Sequence, residues 1–534
     1  MSSGALILRG LRHYWRTNLA VLAGVAIAVS VLAGALLVGE SVRASLRGLV
    51  DERLGRTAIA VTGQGFFRQA LADDITRADG FAAQYADAAA LVAIEASVTH
   101  ESSGREASRI QVYGIDASFF RLHGVAGVEA PTGRQALLSP GLAAELGAVP
   151  DDGLLLRVQK PSAIPADTLA GRRNDTSRAV RLTTRETLAA DRMGDFTLRP
   201  QQDAVRAVFV PIARLQRDLE LAGRANVLLL SAKADAAPDA GRAERLLNAA
   251  ATLPDFGLRI LRNEAQHALL LESETGTLTN VPGGEAATFL GLRPVPVRTY
   301  VATAIRRGGR EVPYSVITGM WPQEYDDAAV GKSFPAKGTV LKDKPEAVAY
   351  TPAGLANSPI WLNQWAADDL AAKFNDDMEV EFFLWSDESG LSTGRHTFSF
   401  AGVVPMTGAG GDRTLTPQYP GLTDAPRMGD WDPPFPVDLK KVRPKDETYW
   451  EQYRGAPKAF VDPNAAQKLW GAGPYGSLTS IRAYVPRSVP LDNAEAEYIA
   501  AIRARMTAAS AGLLVQPVRA QALAASRGST DFGE

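Results

Sequence analysis

The chain has 534 residues, 46% of them apolar and 22% charged, with a net charge of −2 and no cysteine. That length exceeds what one hydrophobic core holds, and the charge lacks the basic excess of a nucleic-acid surface. The missing thiols exclude disulfides, Cys-ligated metals and thiol nucleophiles, and no two of the five histidines stand at the i, i+4 spacing of a metal-binding helix.

Residues 1–18 include "ALILRGLRHYWRTN", where Leu6, Ile7, Leu11, Tyr14 and Trp15 mix with arginines. That mixture predicts a short amphipathic segment on the inner membrane face, in contact with lipid. Leu19 to Val38 then run without a charge. Twenty residues rising about 1.5 Å each cover the roughly 30 Å hydrocarbon core, so 19–38 is the expected transmembrane helix. Arg9, Arg12 and Arg16 precede it, whereas Arg43, Arg47 and Arg53 after it are balanced by Glu40, Asp51 and Glu52. The positive-inside bias therefore puts the N-terminus in the cytoplasm and the bulk of the chain outside. Ala33-Gly34-Ala35 fits a signal-peptidase site, but the run is long for a signal peptide. The helical spacing also continues through Val42, Leu46 and Leu49, which predicts a stalk helix over 39–57 that pairs with a second stalk. Ala20, Gly24 and Ala28 form a small-residue stripe, suited to close approach of a helix from outside this chain.

The remainder reads as α+β, in a first lobe over 58–290 and a second over 291–520. Stretches beginning at Leu137, Trp361 and Phe460 share one pattern: a short strand, an N-cap residue (Ser139, Asn363, Asp462), then Ala and Leu on one face of a short helix. A strand follows each, so a repeated strand–helix–strand unit is expected. Stretches from Gly241 and Ala494 both read as helix, loop and strand, and both lead into helix-like apolar segments at Ala265 and Ala520. The domain therefore reads as internally duplicated, with a seam near 275–295. The Gly-, Pro- and Asp-rich stretch from Thr407 predicts a long exposed loop.

Chemistry-bearing motifs are scarce. Gly331-Lys332-Ser333 ends like a phosphate-binding loop, but Asp326 stands where its first glycine is required. "TGAGGDRT" is glycine-rich without the strand-to-helix setting of a phosphate cradle. Asp368-Asp369 and Asp376-Asp377 lack a calcium-loop spacing, and His267 and His396 have no sequence partner. No catalytic, cofactor-binding or metal site is assigned, and a non-enzyme is expected. Trp361, Trp365 and Trp385 cluster in one stretch and are a candidate partner patch.

The layout of basic N-terminus, single span, stalk and outside domain, with "ALLSPGLAAELG" and "VRAVFVPIARLQ", resembles the N-terminal part of MacB/FtsX-like ABC transporter permeases. "PYSVITGM", "KAFVDPNAAQKLWG" and "SRGSTDFG" resemble a large-domain branch of it. The resemblance implies a MacB-like periplasmic core on a bacterial plasma (inner) membrane. It also implies a separate ATPase subunit as partner, a second permease copy or homologue, and export or extraction of a substrate. Such permeases carry at least three further spans that this sequence lacks. Residues 521–534 then read as the run-in to a missing second span, and the chain as the front part of a permease. The alternative is a complete single-span extracytoplasmic binding or scaffold module. An anchored hydrolase has no motif behind it.

Overall fold

In this computed structural model the described residues are Gly4, Gly10, 12–159, 177–199, 201, 203–329, 354–386, 390–419, 421–433, 435–470 and 478–526. The apolar run and the stalk form one unbroken helix, Trp15–Leu54, of 40 residues. At 1.5 Å per residue it is about 60 Å long, twice what a bilayer core requires. Its most apolar window has a mean hydropathy of 2.7, and none of that window is buried. A helix that is apolar all round and uncovered is stable only in lipid or against other helices.

Beyond it lie eighteen strands among the described residues: β1 (Thr57–Arg68), β2 (Tyr85–His100), β3 (Glu106–Ile115), β4 (Gln135–Leu138), β5 (Gly153–Gln159), β6 (Ser177–Thr187), β7 (Ala207–Pro211) and β8 (Arg224–Ala232) come first. Then follow β9 (Leu258–Asn263), β10 (Ala268–Ser273), β11 (Arg293–Arg307), β12 (Arg310–Gly319), β13 (Pro359–Asn363), β14 (Asp377–Ser386), β15 (Gly390–Val404), β16 (Ala459–Val461), β17 (Ser480–Tyr484) and β18 (Leu513–Gln516).

They form two nine-stranded sheets. The first runs β18-β1-β8-β2-β3-β7-β4-β6-β5, and β5 also pairs with β2, closing a ring of six strands. The second runs β9-β10-β17-β11-β12-β16-β13-β15-β14, and β14 also pairs with β11, closing a like ring. Each pairing in one has a counterpart of the same sense in the other. Thus β3–β7 and β12–β16 are parallel, as are β4–β6 and β13–β15. Alternating side chains fill each ring. In β5 Leu154, Leu156 and Val158 point inward, and in the second ring Ile305, Ile317, Leu362 and Val380 do so. Register places Gly114 opposite Val210 and Gly319 opposite Val461. An added Cβ would lie 2.9 Å from Leu215 at the first and 2.5 Å from Ala466 at the second, so a helix packs directly on each.

Two crossings tie the sheets together. After β8 the helix Ala240–Ala250 leads into β9, which pairs with β10 on the second sheet. After β17 the helix Leu491–Arg503 leads into β18, which pairs with β1 on the first. The change of sheet therefore falls near 258, ahead of the expected boundary at 290/291, and 513–516 returns to the first sheet.

Several local expectations meet a different structure. The stretches at Leu137 and Trp361 occupy matching places, with Ser139 and Asn363 capping their helices. The stretch at Phe460 instead matches the strand and helix that begin at Ala207. Ala520 is helical, in Val518–Ser526, but Ala265 sits in a turn, because Leu269 to Leu271 pair on both sides as a central strand. The stretch from Thr407 is irregular but not an exposed loop. Tyr419, Leu422, Met428, Trp431 and Phe435 are buried against Val301, Tyr314 and Phe383 on the outside of the second ring. Gly331-Lys332-Ser333 and residues 527–534 lie outside the described residues.

Candidate functional site at the stalk junction

The stalk helix ends at Gly55, whose φ of 50° and ψ of −122° suit glycine alone. A Cβ there would meet His123 Nδ1 at 2.4 Å and Met193 Sδ at 2.6 Å. The chain thereby turns straight into β1 against a packed floor. Leu54 is buried among Phe119, Phe120, Leu122, Phe196 and Val518. The Arg56 N–H donates to His123 Nδ1 at 3.1 Å. That bond requires a neutral imidazole. Burial, then the nearby Arg519 and Arg56, push the His123 pKa down to about 3. His123 is held as an uncharged acceptor beneath the end of the stalk.

Polar clamps surround this floor. Arg53 donates to the carbonyls of Gln201 and Asp203. Arg519, on the helix Val518–Ser526, binds Asp51 of the stalk at 2.5 Å and the Thr57 carbonyl at 3.3 Å. That helix lies beside the stalk, and the two border a groove of about 410 Å³ lined by Leu46, Leu49, Val50, Leu198, Val518 and Ala522. Together these contacts hold the end of the long helix against the first sheet.

Leu46 and Leu49 therefore line this groove, while Val42 above it is 53% exposed. Leu19, Ala20, Gly24, Ala28 and Val38 are exposed along the helix, and nothing lies within 4 Å of a Cβ built on Gly24. Trp361 is buried edge-on against Trp321 at 5.5 Å. Trp365 belongs to a different cluster and covers the ammonium of the buried Lys458 at 4.8 Å. The Trp385 side chain lies outside the described residues. Asp376 caps a turn through Lys373 N and binds Arg307, and Asp369 binds Arg443. His267 bonds the Val489 carbonyl, and His396 packs on Phe398. Among the described residues no cluster of His, Cys, Asp and Glu could hold a metal ion. Sequence reasoning missed His123, Gly55 and Arg519. A glycine right after a long helix was the one signal available for any of them.

No family model matches the chain, and no curated protein does. Among solved structures the chain is similar to the periplasmic region of MacB from Actinobacillus actinomycetemcomitans, at 9% identity over 38% of this chain and 86% of that one, with a TM-score of 0.22. It is also similar to the extracellular domain of the noncanonic ABC-type transporter YknZ from Gram-positive bacteria, at 13% identity over 36% of this chain and 92% of that one, with a TM-score of 0.22.

Proposed function

We propose that this chain is the membrane-anchored part of an ABC transporter permease. In this reading a separate cytoplasmic ATPase moves the N-terminal helix, and the stalk carries that motion to the two extracytoplasmic lobes for export or extraction of a substrate. The observation that supports it most is the continuity of Trp15–Leu54 and the way its end is seated. A tether needs only length. A lever needs an unbroken helix and a stiff joint, and Gly55, His123, Leu54 and Arg519 supply the joint. A second copy or homologue would pack on the stripe Ala20, Gly24 and Ala28. The test is to solubilise the full chain from its native membrane through an affinity tag. Co-purification of an ABC ATPase, with ATP hydrolysis by the complex, supports the reading. A chain recovered alone from mild detergent at native expression contradicts it and favours an anchored binding module.

A further inference from the structure

The matched pairings allow the two lobes to be compared position by position. Leu229 pairs with Ala60 and Arg482 with Leu270, so Arg482 stands in the second lobe where Leu229 stands in the first. Likewise Thr62 pairs with Val227 and Glu272 with Ser480, so Glu272 takes the place of Thr62. Gln516 pairs with Ala60 and Leu261 with Leu270, which puts their strand edges in correspondence. In the first lobe that edge borders the groove where stalk and closing helix pack. In the second, β9 turns directly into β10. There a cleft of about 840 Å³ opens, with Leu261 and Leu270 beside Glu272, Arg413, Asp424 and Arg454. Its size is that of a small-molecule site.

The charges in this cleft are incompletely matched. Glu272 is 2% exposed, and its Oε2 takes both bonds from Arg259, at 3.2 and 2.7 Å. No donor among the described residues reaches its Oε1. Burial pushes its carboxyl above the usual range although Arg259 and Arg482 both pull it down, and a further cation at the free oxygen would act in the same direction as they do. Arg413 is exposed and makes no ion pair among the described residues. Among the described residues Arg454 donates only to the carbonyls of Ala425 and Pro426, at 3.1 and 2.6 Å.

We infer that this cleft binds a zwitterion, an amino acid or short peptide, whose ammonium meets Glu272 and whose carboxylate meets Arg413 and Arg454. An ammonium completes the second oxygen of Glu272, and a guanidinium is the matched donor for a carboxylate. The site stands on the cleft alone and holds whether or not the chain serves a permease. The test is calorimetric titration of the full chain in detergent with trialanine, free alanine, and trialanine blocked by N-acetyl and C-amide groups. Trialanine or alanine should bind, and which of them does so tells peptide from amino acid. The blocked peptide should bind at least tenfold more weakly. Glu272→Gln, which keeps its acceptor for Arg259, and Arg413→Ala, at an exposed position, should each weaken binding at least tenfold. No heat with either ligand at millimolar concentration, or equal binding by the blocked peptide or by both variants, would overturn the proposal.

Discussion

Gly55→Ala tests the joint directly. An alanine at φ 50° and ψ −122° costs about 1–3 kcal/mol of backbone strain. Its Cβ would also overlap His123 Nδ1 and Met193 Sδ, at 2.4 and 2.6 Å. Moving either side chain disturbs a packed floor, which adds about 1–3 kcal/mol. The lower entropy of the unfolded chain returns about 0.4–1 kcal/mol. The net loss is then about 3 kcal/mol. For a unit of some 200 residues, about 2–4 °C per kcal/mol gives a Tm lower by about 6–12 °C. The assay is thermal unfolding of the full chain in detergent micelles, followed by tryptophan fluorescence and circular dichroism. Gly65→Ala is the control, since a Cβ there meets nothing within 4 Å, and it should stay within about 0.5 kcal/mol. A Gly55→Ala protein that melts with the wild type would refute the packed joint.

Three further outcomes follow from the same structure. His123 has a folded pKa lowered to about 3 from 6.5, so its contribution is full above about pH 6.5 and is lost as pH falls toward 3. At pH 5.5 the loss is about 1.4 kcal/mol, and His123→Gln should remove that part of the pH dependence in denaturant titrations at pH 7 and 5.5. Asn363→Ala removes the cap on Ala366 N and a buried NH2 group whose two hydrogens are shared among Tyr449 Oη, Pro457 O and Gly410 O. It should cost about 2–3 kcal/mol in urea unfolding, more than Ser139→Ala at the matching place. Gly24→Leu should leave the lobes' melting temperature unchanged while weakening assembly with a partner helix, read by size-exclusion chromatography with light scattering.

The long apolar helix, its continuation to Leu54 and the helix caps were legible because each rests on local pattern. Leu19–Val38 announces itself by length alone, and Ser139 or Asn363 before an apolar face is a local cap signal. The sheets were not legible, because their closure depends on partners far apart in sequence. Arg519 meets Thr57 across 462 positions, and no periodicity encodes that β18 completes the first sheet. The stretch from Thr407 misled because its irregular backbone has no period, although Tyr419, Trp431 and Phe435 marked it as a segment with something to bury. The junction lay half in view. The end of the stalk could be read, but His123 and Arg519 reach it only through tertiary packing. The cleft was invisible for the same reason, since Glu272 looks like the polar residue of a strand until β9 covers it.

The absence of cysteine makes the topology directly measurable. Single substitutions Thr17→Cys and Ser102→Cys, in turn, would be exposed to a membrane-impermeant maleimide on intact cells of the native host and after permeabilisation. The account predicts that Ser102→Cys labels on intact cells, and that Thr17→Cys labels only after permeabilisation and on a chain of unchanged mass. Labelling in the opposite order, or loss of the Thr17 label through cleavage near Ala35, would contradict a stalk that links the cytoplasmic face to the two lobes.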